Sequence, residues 1–339
     1  MSTYVFNNSL TVILVTGATG FLGYTLVEQL LAEGEENVIA TRRSRSIIPS
    51  KLNNREGLTW VEADVRDYIA LADVFEKPIT KVYHCAAVVS FHPKDVKEMM
   101  EINIKGTTHI VNLCLKHGAR LVYVSSIAAI GAKDGTLVTE KEKWEFNSRE
   151  SAYSISKYKS EMEVWRGIEE GLEAVIVNPS VIMGEHAGPN GSEQILQFAN
   201  KGLGFYPLGA TGIVDVHDVA KLMTWLMNSE VKGERYILNS GNISNKELLI
   251  KISKFLNKPK PKIPANRYLM GIAWRLTTLW SYIVHKKLNL TKDAARATQN
   301  YYTFSNEKIK KLTHFEFKSI DDILKEITQQ FKSNQTKKK

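Results

Sequence analysis

The stretch TVILVTGATGFLGYTLVEQLLAEG, residues 11–34, constrains this chain more than any other. Its first six residues are apolar or β-branched with no polar alternation, which reads as a strand buried on both faces. The run stops at Gly17. Glycines recur at 20 and 23, and apolar residues then repeat at helical spacing up to Gly34. Strand, glycine-spaced turn and helix in that order form the opening of a dinucleotide-binding unit. Gly17 allows the tight turn, Gly20 lets the main chain approach a pyrophosphate, and Gly23 lets the helix pack closely. Thr19, Phe21 and Leu22 share the turn, at a helix N-terminus whose free N–H groups suit phosphate.

The alternation continues. NVIAT (37–41), LTWVEA (58–63), KVYHCAA (81–87), ARLVYVSS (119–126) and EAVIVNPS (173–180) read as strands. Helical patterns separate them, including a long one at about 94–118 and another from 152 onward. Such an order predicts an α/β fold, a Rossmann-type doubly wound parallel sheet with helices on both faces. Past Pro179 the pattern loosens into the loop GEHAGPNGS, and GIVDVHDVAKLMTWLM and GERYILNSG then return toward the sheet. From about residue 243 the chain is mostly helical, with the connector NKPKPKIPANR. The expected division is a dinucleotide-binding domain over 1–178, rejoined by about 211–242. A smaller, mostly helical substrate-binding region takes 179–210 and 243–330, and 331–339 is a basic disordered tail.

With 339 residues, 43% of them hydrophobic, the chain can bury a large core. Its net charge of +9 is scattered over presumed helix faces and the tail. A nucleic-acid surface would cluster basic and aromatic residues, so no nucleic-acid partner is expected. Cys85 and Cys114 sit in apolar segments and read as free thiols of a reducing compartment. The first ten residues lack a basic stretch followed by an apolar run, so a cytoplasmic protein is expected. No Cys/His spacing suggests a metal site, and His92, His186 and His217 stand alone. The apolar stretch 268–284 is short for a span and interrupted by Arg275. It reads as a buried or lid helix. Its tryptophans and flanking Arg267, His285, Lys286 and Lys287 also suit a membrane surface, though membrane contact is not the expected outcome.

Three further places carry chemistry. After the second strand, where an NAD site presents a carboxylate to the ribose, this chain has Arg42 and Arg43. Guanidinium groups suit a 2′-phosphate, so NADP is expected rather than NAD. Asp64, after the third strand, is placed to accept from an adenine amino group while Val65 packs on the ring; capping the next helix is the alternative, which Asp67 could also serve. Tyr153 and Lys157 are four apart in SAYSISKYKSE and share a helix face.

Taken together, these segments resemble the extended short-chain dehydrogenase/reductases, the NAD(P)-dependent epimerase/dehydratase family, over about residues 11–240. TGATGFLG is similar to the cofactor turn of that family. VYHCAA resembles its H-x-A-A strand end, which implies that Ala86 and Ala87 line the cofactor. VYVSSIAAIG resembles the strand ending in a catalytic serine, here Ser126, and YSISK its Y-x-x-x-K pair, here Tyr153 and Lys157. NPSVIMG places Pro179 and Ser180 beside the nicotinamide, and VDVHDVA resembles a late motif with Asp215 and Asp218. By this resemblance Tyr153 exchanges a proton with a carbonyl or alcohol, Lys157 holds the nicotinamide ribose, and Ser126 orients the substrate oxygen.

Ile127, Ala128 and Ala129 follow Ser126, where 4,6-dehydratases carry an Asp-Glu pair, so that reaction is excluded. The expected activity is NADP-dependent reduction of an apolar ketone or aldehyde, as in the dihydroflavonol 4-reductase branch, with Phe91 near the substrate and Val88 either there or in the core. Nucleotide-sugar epimerases and 3β-hydroxysteroid dehydrogenases are the alternatives, and a non-catalytic NADP sensor is a more distant one. Ser125 could touch cofactor or backbone, and Asn103 is expected to bond backbone. A homodimer is expected through the 94–118 and Tyr153 helices, with Met99, Met100, Met162, Val164 and Trp165 as its apolar seam.

Overall fold

A computed structural model of the chain describes residues 11–132, 134–146, 150–185, 187, 192–284 and 290–336. The first ten residues, His186, part of the 184–192 loop, His285, Lys286, Lys287 and the last three residues lie outside the described residues.

Seven strands form one parallel sheet: β1 (Val12–Thr16), β2 (Val38–Arg42), β3 (Leu58–Glu62), β4 (Ile79–His84), β5 (Arg120–Val124), β6 (Ala174–Pro179) and β7 (Glu234–Leu238). Their order across the sheet is β7-β6-β5-β4-β1-β2-β3. The chain winds outward from β1 to β3 and then returns to place β4 beside β1, so the switch point of the sheet lies at the end of β1. Five helices cover it: α1 (Phe21–Ala32), α2 (Tyr68–Phe75), α3 (Gly106–His117), α4 (Ala152–Glu169) and α5 (Val216–Met227). Ile13 and Val15 pack with α1 and α5 on one face, while Leu14 packs with α2, α3 and α4 on the other. Burial of both faces is why β1 shows no polar alternation.

Local chemistry sets the helix ends. Asp67 caps α2 by accepting from the Ile69 and Ala70 N–H groups, Ser151 caps α4 and Asp215 caps α5. Gly118 closes α3 in the left-handed region at φ 67°. The expected helix at 94–118 is one run with a π-helical turn inserted at Glu101–Lys105. Asn103 lies in that turn. Its amide accepts from Val88 N at 2.8 Å and donates to Val88 O at 3.0 Å and Ser156 Oγ at 3.0 Å. The turn is thereby tied to the loop after β4 and to α4.

Beyond β6 the main chain enters a second sheet of three strands, Val181–Met183, Ala210–Asp215 and Gly241–Ser244. Helices Glu193–Asn200, Asn245–Phe255 and Ile320–Thr336 close a separate core over it. Two expectations are corrected here. The segment 211–242 does not rejoin the main sheet as a whole: its first strand pairs in parallel with Val181–Met183, and the return is made by α5 and β7. Residues 331–336 are not a disordered tail, because the last helix carries Phe331 into the second core at 8% exposure. Asp215 and Asp218 serve this junction: Lys318 N donates to Asp218 Oδ2 at 2.8 Å, and Lys318 Nζ lies 3.7 Å from Asp215.

Candidate active site

At the switch point β1 turns into α1 against the end of β4. Gly17 has φ 70°, and a Cβ there would lie 2.6 Å from Ala86 N. A Cβ on Gly23 would lie 2.3 Å from the Gly17 carbonyl oxygen, so both glycines are demanded by close backbone approach. Gly20 differs. It donates to Gly17 O at 2.9 Å and its own face is open, since a Cβ would meet Gly17 O alone, at 3.1 Å. It heads α1 with no side-chain cap, leaving the N-terminal N–H groups to a ligand. Thr19 and Phe21 are half-buried beside it. The Leu22 side chain belongs to the core, so this residue offers the site its main chain alone.

The rest of the groove follows the strand ends. Ala86 is half-buried with its N–H on Thr16 Oγ1 at 3.3 Å, and Ala87 is exposed. Pro179 and Ser180 are buried at the end of β6, and the Ser180 hydroxyl has no hydrogen-bond partner among the described residues. An uncapped helix and a glycine cradle lie at the carboxyl ends of the strands, and they fit a dinucleotide. Two of the expected contacts already have partners within the chain. Arg66 binds the Asp64 carboxylate through Nε at 3.0 Å and Nη2 at 2.7 Å, and this hydrogen bonding holds its pKa below the usual carboxylate value. Val65 is turned inward, 7% exposed and packed where a Cβ on Gly106 would sit 2.7 Å from it. The helix cap comes from Asp67, as the alternative reading allowed. Arg42 pairs with Glu62 at 3.3 Å, its register partner on β3, while Arg43 is half-exposed with Glu98 at 3.8 Å.

Ser126 follows β5 and meets Tyr153 from the first turn of α4. Burial holds the Tyr153 phenol above its ordinary value, against the opposing pull of the Ser126 hydroxyl. Phe91 stands edge-on to the Tyr153 ring at 5.9 Å. Lys157, one turn further, is 2% exposed and donates to Val124 O at 2.7 Å and Tyr123 Oη at 3.2 Å. Burial lowers its ammonium to about 8, against the opposing charge of Glu161. Residues from four segments therefore converge at the carboxyl ends of β4, β5 and β6.

Residues 13–239 match the NAD dependent epimerase/dehydratase family. The chain belongs to that family. It is 34% identical over 272 residues to a provisionally named dihydroflavonol 4-reductase of Synechocystis sp., covering 77% of each chain. Over 268 residues it is 30% identical to sterol demethylase protein B of Methylococcus capsulatus, covering 77% of this chain and 79% of the relative. The crystal structure of gox2253 superposes with a TM-score of 0.80 at 26% identity, covering 95% of this chain and 98% of that one. The chain is an NAD(P)-dependent oxidoreductase of the short-chain dehydrogenase/reductase type.

In this family member a buried network that the sequence did not reveal stands behind the hydroxyl pair. Glu161 extends the Tyr153–Lys157 face by one more turn and is fully buried. Its Oε2 accepts from Ser125 Oγ at 2.5 Å and Asn178 Nδ2 at 2.8 Å, and its Oε1 accepts from Arg235 Nη1 at 2.9 Å. Asn178 Nδ2 also donates to Ser126 O at 2.9 Å, so the carboxylate fixes the main chain that carries Ser126. His84 lies beneath, bonded to the Thr16 hydroxyl at 2.6 Å and the Thr107 hydroxyl at 3.1 Å. Burial lowers it to about 3, so it stays a neutral link between β4 and α3 at neutral pH. The two thiols, Cys85 and Cys114, are free, and burial pushes Cys85 up to about 12. Among the described residues no group of three His, Cys, Asp or Glu side chains is arranged to hold a metal.

Proposed function

We propose that this protein reduces an apolar ketone or aldehyde with NADPH at a Ser126–Tyr153–Lys157 site. Ser126 beside the buried Tyr153 phenol, with Lys157 buried one turn further on the same helix, carries the reading. Gly17, Thr19, Gly20, Phe21, Leu22 and Gly23 would hold the cofactor, with Ala86, Ala87, Pro179 and Ser180 along its path, and when bound it would supply the hydride for the carbonyl carbon. Ser126 donates to the carbonyl oxygen and sets it within reach of the Tyr153 hydroxyl. Tyr153, kept protonated at neutral pH by its burial, gives that proton to the oxygen as negative charge develops there. The Lys157 ammonium steadies the phenolate left behind. Phe91 gives the pocket an apolar wall beside the reacting group. The dihydroflavonol reductase and sterol-pathway names of the relatives favour a substrate of this polarity. A panel of aldehydes, ketones and sugar nucleotides, read as NADPH consumption, tests the assignment. Turnover with an apolar carbonyl is expected, and turnover confined to sugar nucleotides would overturn it.

The proton relay predicts a pH profile. Lys157 is a cation below its value of about 8 and neutral above it. Turnover in the reducing direction is therefore expected to fall as pH rises through about 8, and Lys157→Arg to move that descending limb upward. A flat profile through this range would contradict the role of the ammonium.

Arg43 is the better candidate for the 2′-phosphate, because Arg42 is also engaged with the Arg43 and Ser44 carbonyls, at 3.3 Å each. Loss of a charge-assisted hydrogen bond costs about 1.5–3 kcal/mol. Arg43→Ala is thus expected to weaken NADPH binding by roughly tenfold to a hundredfold and to leave NADH nearly unchanged. Arg42→Ala should do less, since Glu62 already holds that side chain. Titration with both cofactors checks the order.

Pairing of two copies through α3 and α4 completes the proposal. Met99 and Val164 are fully buried inside the protomer and leave the expected seam. Met162 is exposed and Met100 and Trp165 are half-buried, and these three would form it. A dimer mass by light scattering is the expected result.

A further inference from the structure

In the helix Arg267–Val284 the residues up to Thr277 present one apolar side to neighbouring elements and another to solvent. Met270 is buried with Ala265 and Ala295, and Trp274 and Leu290 pack onto that cluster. On the other side Tyr268 is 84% exposed, Leu269 48%, Ile272 56% and Leu276 61%. With Arg275 these positions fall within an arc of about 120° on a helix of 3.6 residues per turn. This is one continuous stripe, and it faces away from the protein. Arg275 lies at its margin, with its guanidinium over the Trp274 ring at 4.7 Å. The side turned inward could shield a pocket, but the stripe cannot.

Charge singles out the same stretch. From Leu248 to Lys292 the chain holds ten lysines and arginines and no aspartate or glutamate. Lys251 is engaged with Glu247 and Asp321. Lys254, Lys258, Lys260, Lys262 and Arg267 are exposed and carry no ion pair among the described residues. Ile263, between Lys262 and the helix, is a further exposed aliphatic residue at 57%.

We propose that this helix and the basic segment before it seat the protein on an anionic lipid surface. A bilayer takes both features together: the acyl boundary receives the aliphatic stripe and Tyr268, and anionic headgroups receive the unpaired cations. A second copy of the chain is a poorer occupant, because a two-fold contact would press the same acid-free basic stretch against itself. Among the described residues no helix is long and apolar enough to cross a membrane, so the helix lies in the interface and does not span it. The proposal rests on this face alone and is independent of the reaction assigned above.

Co-sedimentation with vesicles tests it, using phosphatidylcholine alone and phosphatidylcholine mixed with phosphatidylglycerol. Binding to the mixed vesicles, weakened by added salt and absent from the neutral ones, is expected. Charge reversal at Lys258→Glu, Lys260→Glu and Lys262→Glu should lower partitioning by about tenfold or more. The pair Ile272→Ser and Leu276→Ser should do the same through lost apolar burial, by about tenfold or more. These positions are exposed, so circular dichroism and the thermal midpoint should stay native. No binding to either vesicle, equal binding to both, or variants that bind like the parent would overturn the proposal. So would a change from dimer to monomer in the Ile272→Ser, Leu276→Ser protein without vesicle binding by the parent, which would make the stripe a contact between copies.

Discussion

Tyr153→Phe is expected to lower carbonyl-reduction turnover by about 10²–10⁴, the usual worth of a positioned general acid. The substitution keeps the ring that stands against Phe91 and removes the hydroxyl beside Ser126. Cofactor affinity should change little, because the glycine turn and the strand ends that grip it are untouched. Steady-state kinetics with NADPH and the best substrate of the panel separates the two effects. A variant keeping more than about a tenth of the parent rate would show that the proton comes from elsewhere.

Glu161→Ala is expected to cost about 3–5 kcal/mol of stability, the range for breaking a buried ion pair from one side. The change leaves Arg235, whose side chain is 16% exposed, without its carboxylate, and removes the acceptor for Ser125 and Asn178. Glu161→Gln keeps the shape and one acceptor oxygen and should lose less. Urea unfolding of the three proteins measures the difference. An alanine variant within about 1 kcal/mol of the parent would mean that Arg235 and Asn178 find other partners at little cost. Since Asn178 also holds the Ser126 carbonyl, the alanine variant should lose turnover as well as stability.

The glycine turn was legible because it admits no substitute: Gly17 and Gly23 are fixed by backbone atoms that a Cβ would strike. The main sheet was legible because strands buried on both faces read as unbroken apolar runs between helical patterns. The partner of Asp64 was not legible, because a carboxylate after a strand does not say which group takes its oxygens, and Arg66 is two residues away. The dimer seam was overdrawn for a similar reason. Met99 and Val164 lie on helices with apolar residues on more than one side, and periodicity does not say which side meets the protomer's own sheet. Glu161 was overlooked because a glutamate on a charged helix reads as solvated. Its partners Asn178 and Arg235 lie 17 and 74 residues further along the chain, a proximity that the folded sheet creates. The last helix hid in a lysine-rich end, where Phe331 was the sole large apolar residue to mark the buried face after residue 327.

The central claim is net hydride delivery from NADPH to an apolar carbonyl, with Tyr153 supplying the proton. Its most direct test is isotopic. NADPH carrying deuterium at both C4 positions of the nicotinamide is incubated with the protein and the carbonyl found by the panel, and the alcohol is examined by mass spectrometry and NMR. The account predicts one deuterium on the former carbonyl carbon, one equivalent of NADP⁺ for each alcohol formed, and formation of both slowed by about 10²–10⁴ in Tyr153→Phe. An alcohol without the label, or an epimerised sugar nucleotide formed with no net consumption of NADPH, would contradict it.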